Sequence, residues 1–312
     1  MQDSITQRAK GQINVVLKHN ELKHRANEDT LISDMDLEKH YPLEKIQRDM
    51  SGLIGMDSIK KVIKEIYAWI YINNCRKDYG LKQDKQALHM VFKGNPGTGK
   101  TTVARLIGKL FFEMNVLTKG HLIEAERADL VGEYIGHTAQ KTRDLIKKAK
   151  GGILFIDEAY SLARGGEKDF GKESIDALVK GMEDFHQDFI LILAGYPKEM
   201  NRFLELNPGM PSRFPLIIDF PDYSVQELLE IAKKMVAERE YILSTEAERK
   251  LKLYIQQYLE DNIHSKSFSN GRFVRNIIEK AIRAQAIRLL RSNVYNKSQL
   301  MLLTSEDFSL ES

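Results

Sequence analysis

The run Gly94-Asn95-Pro96-Gly97-Thr98-Gly99-Lys100-Thr101 has the spacing G-x-x-x-x-G-K-[ST], and each residue type in it suits one part of holding phosphate. Glycines let the backbone curl until successive N–H groups converge, and a helix N-terminus adds partial positive charge at the same place. Lys100 has the reach to meet the β- and γ-phosphates of a nucleoside triphosphate, and the Thr101 hydroxyl is a ligand for Mg²⁺. Thr102 follows in the same helical turn. A glycine-rich turn with an accidental lysine would not need a strand before it and a helix after it. Here His89 to Phe92 read as the strand and Lys100 to Met114 as the helix, which is the context the mechanism requires.

A second constellation is Ile153-Leu154-Phe155-Ile156-Asp157-Glu158, a short apolar run that ends in two carboxylates. In a parallel sheet the functional loops follow the carboxyl ends of strands, the edge from which a phosphate loop also departs. Asp157 is suited to hold Mg²⁺ through water as the acidic counterpart of Thr101. Glu158 is suited to orient and polarise an attacking water. An apolar strand followed by Asp-Glu is common by itself, and the phosphate loop upstream gives it meaning. The adjacent glutamate argues for hydrolysis of ATP over phosphoryl transfer to a small substrate.

Both motifs need a scaffold, and the surrounding pattern supplies one. Candidate strands at His89 to Phe92, Leu122 to Ala125, Ile153 to Ile156, Phe189 to Ala194 and Leu216 to Ile218 alternate with helical patterns. The helices are Lys100 to Met114, Ala139 to Ala149, Lys172 to Asp184 and Lys198 to Leu206. That alternation predicts an α/β domain with a parallel five-stranded sheet between helices. Upstream, Ile59, Val62, Ile63, Ile66, Trp69, Ile70 and Ile72 recur near helical spacing, and Gly80 closes that helix. After Pro221 the pattern changes. Ser224-Val225-Gln226-Glu227 is a capping box, Thr245-Glu246-Ala247-Glu248 repeats the signal, and a third helix runs from Arg272 to about Leu290. No strand signal of comparable strength interrupts these helices until Leu300 to Leu303. The expected division is a polar arm over 1–50, an α/β domain over 51–221 and a small helical domain over 222–312.

Composition narrows the setting. The 312 residues are 42% apolar and 29% charged, with a net charge of +3, ordinary values for a soluble globular chain. The mild basicity does not call for nucleic acid. Cys75 is the one cysteine, which excludes an internal disulfide or a zinc cluster and suits a reducing compartment. No apolar run has signal-peptide or membrane-spanning length. The expectation is a cytoplasmic protein without membrane insertion.

Gly94 to Thr101 and Ile153 to Glu158, followed by a helical C-terminal domain, together resemble the AAA+ ATPase module, a P-loop NTPase with a helical lid. Ala128 to Thr138, Phe155 to Leu162 and Leu193 to Tyr196 resemble its CbxX/CfqX branch, in particular a sporulation type within it. The resemblance extends from about Leu53 to the C-terminus. It implies a homo-oligomeric ring, commonly a hexamer, with ATP between subunits and an arginine finger donated by the neighbour. Asn207 to Phe214 resembles the finger segment, which makes Arg213 the candidate and Arg202 the reserve. Ser269-Asn270-Gly271-Arg272 resembles the sensor motif of the lid, so Arg272 is expected to read the γ-phosphate, with Arg275 one turn later as substitute. Leu53-Ile54-Gly55 resembles the segment that packs on adenine, although a plain hydrophobic turn has the same appearance. One departure stands out: many AAA+ proteins carry a polar residue, often Asn, where this chain has Gly195-Tyr196, and the Tyr196 hydroxyl is the available substitute.

Glu133-Tyr134-Ile135-Gly136 resembles the aromatic–aliphatic–Gly loop that lines the pore of protein-remodelling rings. Tyr134, Ile135 and Gly136 are thus expected to grip a protein substrate, the alternative being that Tyr134 packs between helices. The resemblance implies a chaperone-like motor, with spore formation or maturation as the setting of the sporulation type and Rubisco activation as that of other members of the branch. An ATP-dependent nucleic-acid loader or initiator is the competing class, but no appended DNA-binding element is visible in the sequence, so no nucleic-acid partner is expected.

Overall fold

The structure, a computed structural model, describes residues 40–82, 87–134, 136–164, 170–205, 207, 209–261, 268–292 and 295–308. They form two compact units. One comprises residues up to 48 with 62–93 and 104–219; the other comprises 49–61, 94–103 and the chain from 220 onward.

The first unit is built on five strands: β1 (Met90–Gly94), β2 (Leu122–Ala125), β3 (Ile153–Ile156), β4 (Ile190–Gly195) and β5 (Leu216–Phe220). Their order across the sheet is β2-β3-β4-β1-β5, with parallel pairing of β2 to β3, β3 to β4 and β4 to β1. Every residue of β3 and β4 is buried. Such uninterrupted apolar strands require cover on both faces, as the sequence pattern implies. Ile146 and Ala149 of the helix His137–Ala149, Ile175, Leu178 and Met182 of Gly171–Asp184, and Met200 and Phe203 of Pro197–Glu205 pack into one core with Leu154, Ile156, Leu191 and Leu193. Each such aliphatic side chain contributes about 1.5–3 kcal/mol when fully buried.

Two strands start one residue later than their apolar runs suggest, and one side chain accounts for it. His89 is buried, and its Nδ1 accepts the Leu191 N–H at 3.0 Å. The ring thereby takes a place in the ladder, and backbone pairing of the two strands begins with Met90 opposite Ile192. The register continues to Lys93 opposite Gly195, while Ile156 of β3 lies opposite Leu193. Lys93 and Asp157 therefore leave the sheet at one edge, two strand spacings or roughly 10 Å apart.

In the second unit the helix Val225–Ala237 begins with the expected capping box: the Ser224 hydroxyl accepts the Glu227 N–H, and the Glu227 carboxylate accepts the Ser224 N–H at 2.7 Å. The next helix, Thr245–Asp261, is capped one residue earlier than its sequence signal: Ser244 Oγ accepts the Ala247 N–H at 3.1 Å. A third helix, Asn270–Ser292, extends past both expected ends. Of the strand signal near residue 300, only Leu302–Leu303 is extended, paired with Ile242–Leu243; Lys297–Met301 is helical because Asn296 and Gln299 cap it. Leu228, Ala232, Leu251, Ile255, Val274 and Ile278 form the core. Tyr258 stacks on Phe273 beside them, with ring centroids 4.1 Å apart.

Residues 41–51, assigned by sequence to the polar arm as far as residue 50, form a helix with Leu43, Ile46 and Met50 buried; residues 1–39 lie outside the described residues. No described helix is long and apolar enough to cross a membrane.

Candidate active site

The loop 94–101 can be understood by asking where its carbonyl groups go, since a backbone polar group turned away from water needs a partner. Lys100 Nζ donates to the carbonyl oxygens of Gly94 and Asn95, both at 2.8 Å. Thr98 Oγ1 also donates to Asn95 O at 2.8 Å. Pro96 O accepts from Asn270 Nδ2 at 3.4 Å, Gly97 O from Gly271 N at 3.1 Å, and Thr98 O from the Tyr223 hydroxyl at 3.3 Å. Gly99 O accepts from Val103 N at 3.0 Å as the helix Lys100–Glu113 begins. Each carbonyl from 94 to 99 is thus engaged by a donor. The N–H groups at the start of the helix, at Thr101 and Thr102, have no intrahelical acceptor by the nature of a helix start.

Two glycines make this curl feasible. Gly97 and Gly99 have φ of +73° and +90°. A Cβ on Gly97 would sit 2.3 Å from Ser269 O, and one on Gly99 would sit 2.4 Å from Met56 Cε. Met56 is the residue after Leu53-Ile54-Gly55, the segment expected to pack on adenine.

The loop's residues fit a Mg-nucleotide, with helix-start donors and a lysine for the phosphates and the hard Thr101 hydroxyl for the metal; Asp157, in the other unit, is a hard carboxylate donor of the kind Mg²⁺ takes. Among the described residues no cluster of three or more His, Cys, Asp or Glu forms an all-protein cage. Mg²⁺ in nucleotide sites needs none, because phosphates and waters complete its shell.

Asp157 continues β3: its N–H donates to Ala125 O at 3.0 Å, and its Oδ1 accepts the Glu158 N–H at 3.0 Å. Glu158 then turns into the left-handed region, φ 47° and ψ 42°, with its side chain exposed. For a non-glycine residue this costs about 1–2 kcal/mol, strain of the kind that collects where a side chain must be aimed.

Tyr160 was not singled out by sequence. Burial first, and then the charge of the Glu158 carboxylate, hold its phenol above the usual tyrosine range. Its ring lies 4.6 Å from the Arg164 guanidinium, and a Cβ on Gly195 would meet ring carbon Cδ1 at 2.7 Å. The glycine that departs from the polar sensor pattern is therefore what admits Tyr160, and Tyr196 stands beside it, ring centroids 6.0 Å apart.

The remaining candidates are dispersed. Arg213 Nε and Nη2 bond Glu183, and Nη1 donates to Gly209 O at 2.6 Å. Arg202 is exposed on Pro197–Glu205. Arg272 and Arg275 are exposed one helical turn apart, and a Cβ on Gly97 would lie 2.8 Å from the Arg272 backbone nitrogen. Tyr134 is 65% exposed rather than packed between helices, 5.5 Å from the His137 ring. Gly136 follows at φ +83°, and Ile135 lies outside the described residues.

The profile of the ATPase family associated with various cellular activities (AAA) matches residues 90–222, and that of the AAA lid domain matches 224–312. Stage V sporulation protein K of Bacillus subtilis (strain 168) is 63% identical, covering 100% of this chain and 98% of that protein. A chloroplastic ribulose bisphosphate carboxylase/oxygenase activase of Cyanidioschyzon merolae is 43% identical, covering 86% of this chain and 92% of its own. Among solved structures, the FIGL-1 AAA domain in complex with ADP superposes with a TM-score of 0.55 over 83% of this chain and 82% of that one. At 16% identity that likeness speaks to the fold alone.

Proposed function

This chain belongs to the AAA ATPases and hydrolyses ATP, and from that premise we propose that it works as a cytoplasmic homo-oligomeric ring, a hexamer, whose ATP sites drive the remodelling of a protein partner. The observation that carries the reading is the full set of donors on the carbonyls of residues 94–99. It leaves the helix-start N–H groups as the loop's means of binding phosphate.

In this reading Lys100 moves its ammonium group onto the β- and γ-phosphates, and the Gly94 to Thr102 backbone cradles them. Thr101 and Asp157 hold Mg²⁺, which when bound neutralises charge on the transferring phosphoryl group. Glu158, aimed by its left-handed backbone, orients the attacking water and takes its proton. Arg272 approaches the γ-phosphate from the lid. Arg213 acts in the neighbouring subunit's site, a contribution on the order of 10³ to 10⁵ in rate. Tyr134 and Gly136, with Ile135 between them, contact the translocated chain, and the exposure of Tyr134 favours this. Likeness to the Bacillus subtilis protein across the whole chain supports a role in spore formation or maturation. The likeness to a Rubisco activase supports a second reading, an activase-like remodeller with another target.

The test mixes two inactive variants. Arg213→Ala and Glu158→Gln are each expected to lose ATP turnover, Glu158→Gln while still binding ATP. Mixed together they regain part of it, because the finger of one subunit meets the base of the other. Mixtures as inactive as their components would reject the shared site.

A further inference from the structure

Asn270 is completely buried, 0% exposed, and adopts φ 43° at the first position of its helix. Its side-chain amide is engaged on every side. Oδ1 accepts the Tyr223 N–H at 2.9 Å. Nδ2 donates to Asp222 Oδ1 at 2.7 Å, to Phe268 O at 3.2 Å and to Pro96 O at 3.4 Å. The Asp222 carboxylate in turn accepts from Asn95 Nδ2, at 3.0 Å to Oδ1 and 2.9 Å to Oδ2. One buried amide and one carboxylate thus join three segments distant in sequence: the phosphate loop at Asn95 and Pro96, the stretch Asp222-Tyr223, and the turn that opens the last long helix. The neighbouring Gly271 N–H···O bond to Gly97 and the Tyr223 hydroxyl on Thr98 O depend on the same alignment. A left-handed asparagine is less costly than most residues there, but it persists only where its surroundings hold it. These do.

Resting on the nucleotide-binding reading of the loop, we propose that Asn270 is a positioning residue for nucleotide. It locks the first turn of the helix Asn270–Ser292 to the phosphate loop through Asp222, so that phosphate binding and the order of that turn are linked, while Asn270 itself touches no phosphate. Linkage makes the effect reciprocal: whatever the lock adds to nucleotide affinity, bound nucleotide adds to the lock.

Asn270→Gly is the informative variant, because glycine adopts φ 43° freely and the change removes the amide without adding backbone strain. Titration with a fluorescent ADP, which requires no turnover, is expected to show affinity about tenfold weaker than wild type, the effect of one or two lost hydrogen bonds. Amide exchange over residues 270–276, slowed by ADP in the wild type, is expected to lose that response. Asp222→Asn, which disturbs the same lock from its other side, is expected to shift both readouts in the same direction. Either variant, cooperatively folded and binding ADP within twofold of wild type, would overturn the proposal. So would an undiminished exchange response. Lys100→Ala separates this from failure of the nucleotide reading itself: if wild type binds ADP and Lys100→Ala does not, a wild-type-like Asn270→Gly removes only the lock.

Discussion

Replacing Gly97 by alanine introduces one methyl group, and the structure shows what that methyl meets. At φ +73° an L-residue costs about 1–2 kcal/mol. The new Cβ would lie 2.3 Å from Ser269 O, 2.8 Å from Arg272 N and 3.0 Å from Gly271 N, all backbone atoms that no rotamer change can move aside. Relief requires the two backbones to separate, which breaks the Gly271 N–H···O bond to Gly97 and forfeits about 1 kcal/mol more. The sum is about 2–3 kcal/mol. If the loop gives way, its donors lose their convergence and nucleotide affinity falls on the order of 100-fold. If the helix start gives way, the unfolding midpoint falls instead. Gly80 is the matched control, with φ +71° and nothing within 4 Å of an added Cβ. Gly80→Ala should therefore show the backbone cost alone, about 1–2 kcal/mol, with unchanged nucleotide binding. ADP titration and thermal unfolding of both variants decide the matter. If Gly97→Ala matches Gly80→Ala in affinity and stability, the close packing described around the phosphate loop is wrong.

Two further outcomes follow from single residues. Burial, with a smaller push from His186, lowers the His89 pKa to about 4 from an ordinary 6.5; between those values the unfolded chain holds a proton that the folded chain lacks. Stability should consequently fall as pH drops from 6.5 toward 4, by roughly 3 kcal/mol in full. His89→Asn keeps an acceptor near the Leu191 N–H but cannot titrate, so its urea midpoint should change less between pH 7 and 4.5; equal slopes would clear His89 of the effect. Tyr134→Ala, at so exposed a position, should alter stability by less than about 0.5 kcal/mol and abolish stimulation of ATP turnover by a protein substrate. Retained stimulation would remove the pore assignment.

The sequence was informative where the physics is local. A curl of glycines feeding a helix is set by neighbouring φ/ψ choices, so Gly94 to Thr102 could be read directly. A run such as Ile153 to Ile156 announces a strand buried on both faces by lacking polar alternation. The capping box at Ser224 needs only four residues. At the next helix the same rule named Thr245 where Ser244 does the capping, because two adjacent hydroxyls offer the same chemistry and only the backbone turn selects between them.

What holds the phosphate loop was not legible, since Asn270 and Tyr223 reach it across 174 and 125 residues of chain, and no local spacing encodes such a meeting. Asn270 follows Ser269 in a motif noticed for its arginine, yet its burial and left-handed backbone give it the tighter constraint. The Glu158 neighbourhood carries the same lesson. By sequence, Gly195-Tyr196 lacked a polar residue and Tyr196 was the substitute at hand. In three dimensions the absent side chain at Gly195 is the space that the Tyr160 ring fills, from two residues after the glutamate itself. A missing group and an unremarked tyrosine are two halves of one arrangement. Replacing Gly195 by asparagine, the residue the family pattern expects, would therefore displace the Tyr160 ring from a space only 2.7 Å from the new Cβ, so the pattern's usual residue is one this site has no room to accept.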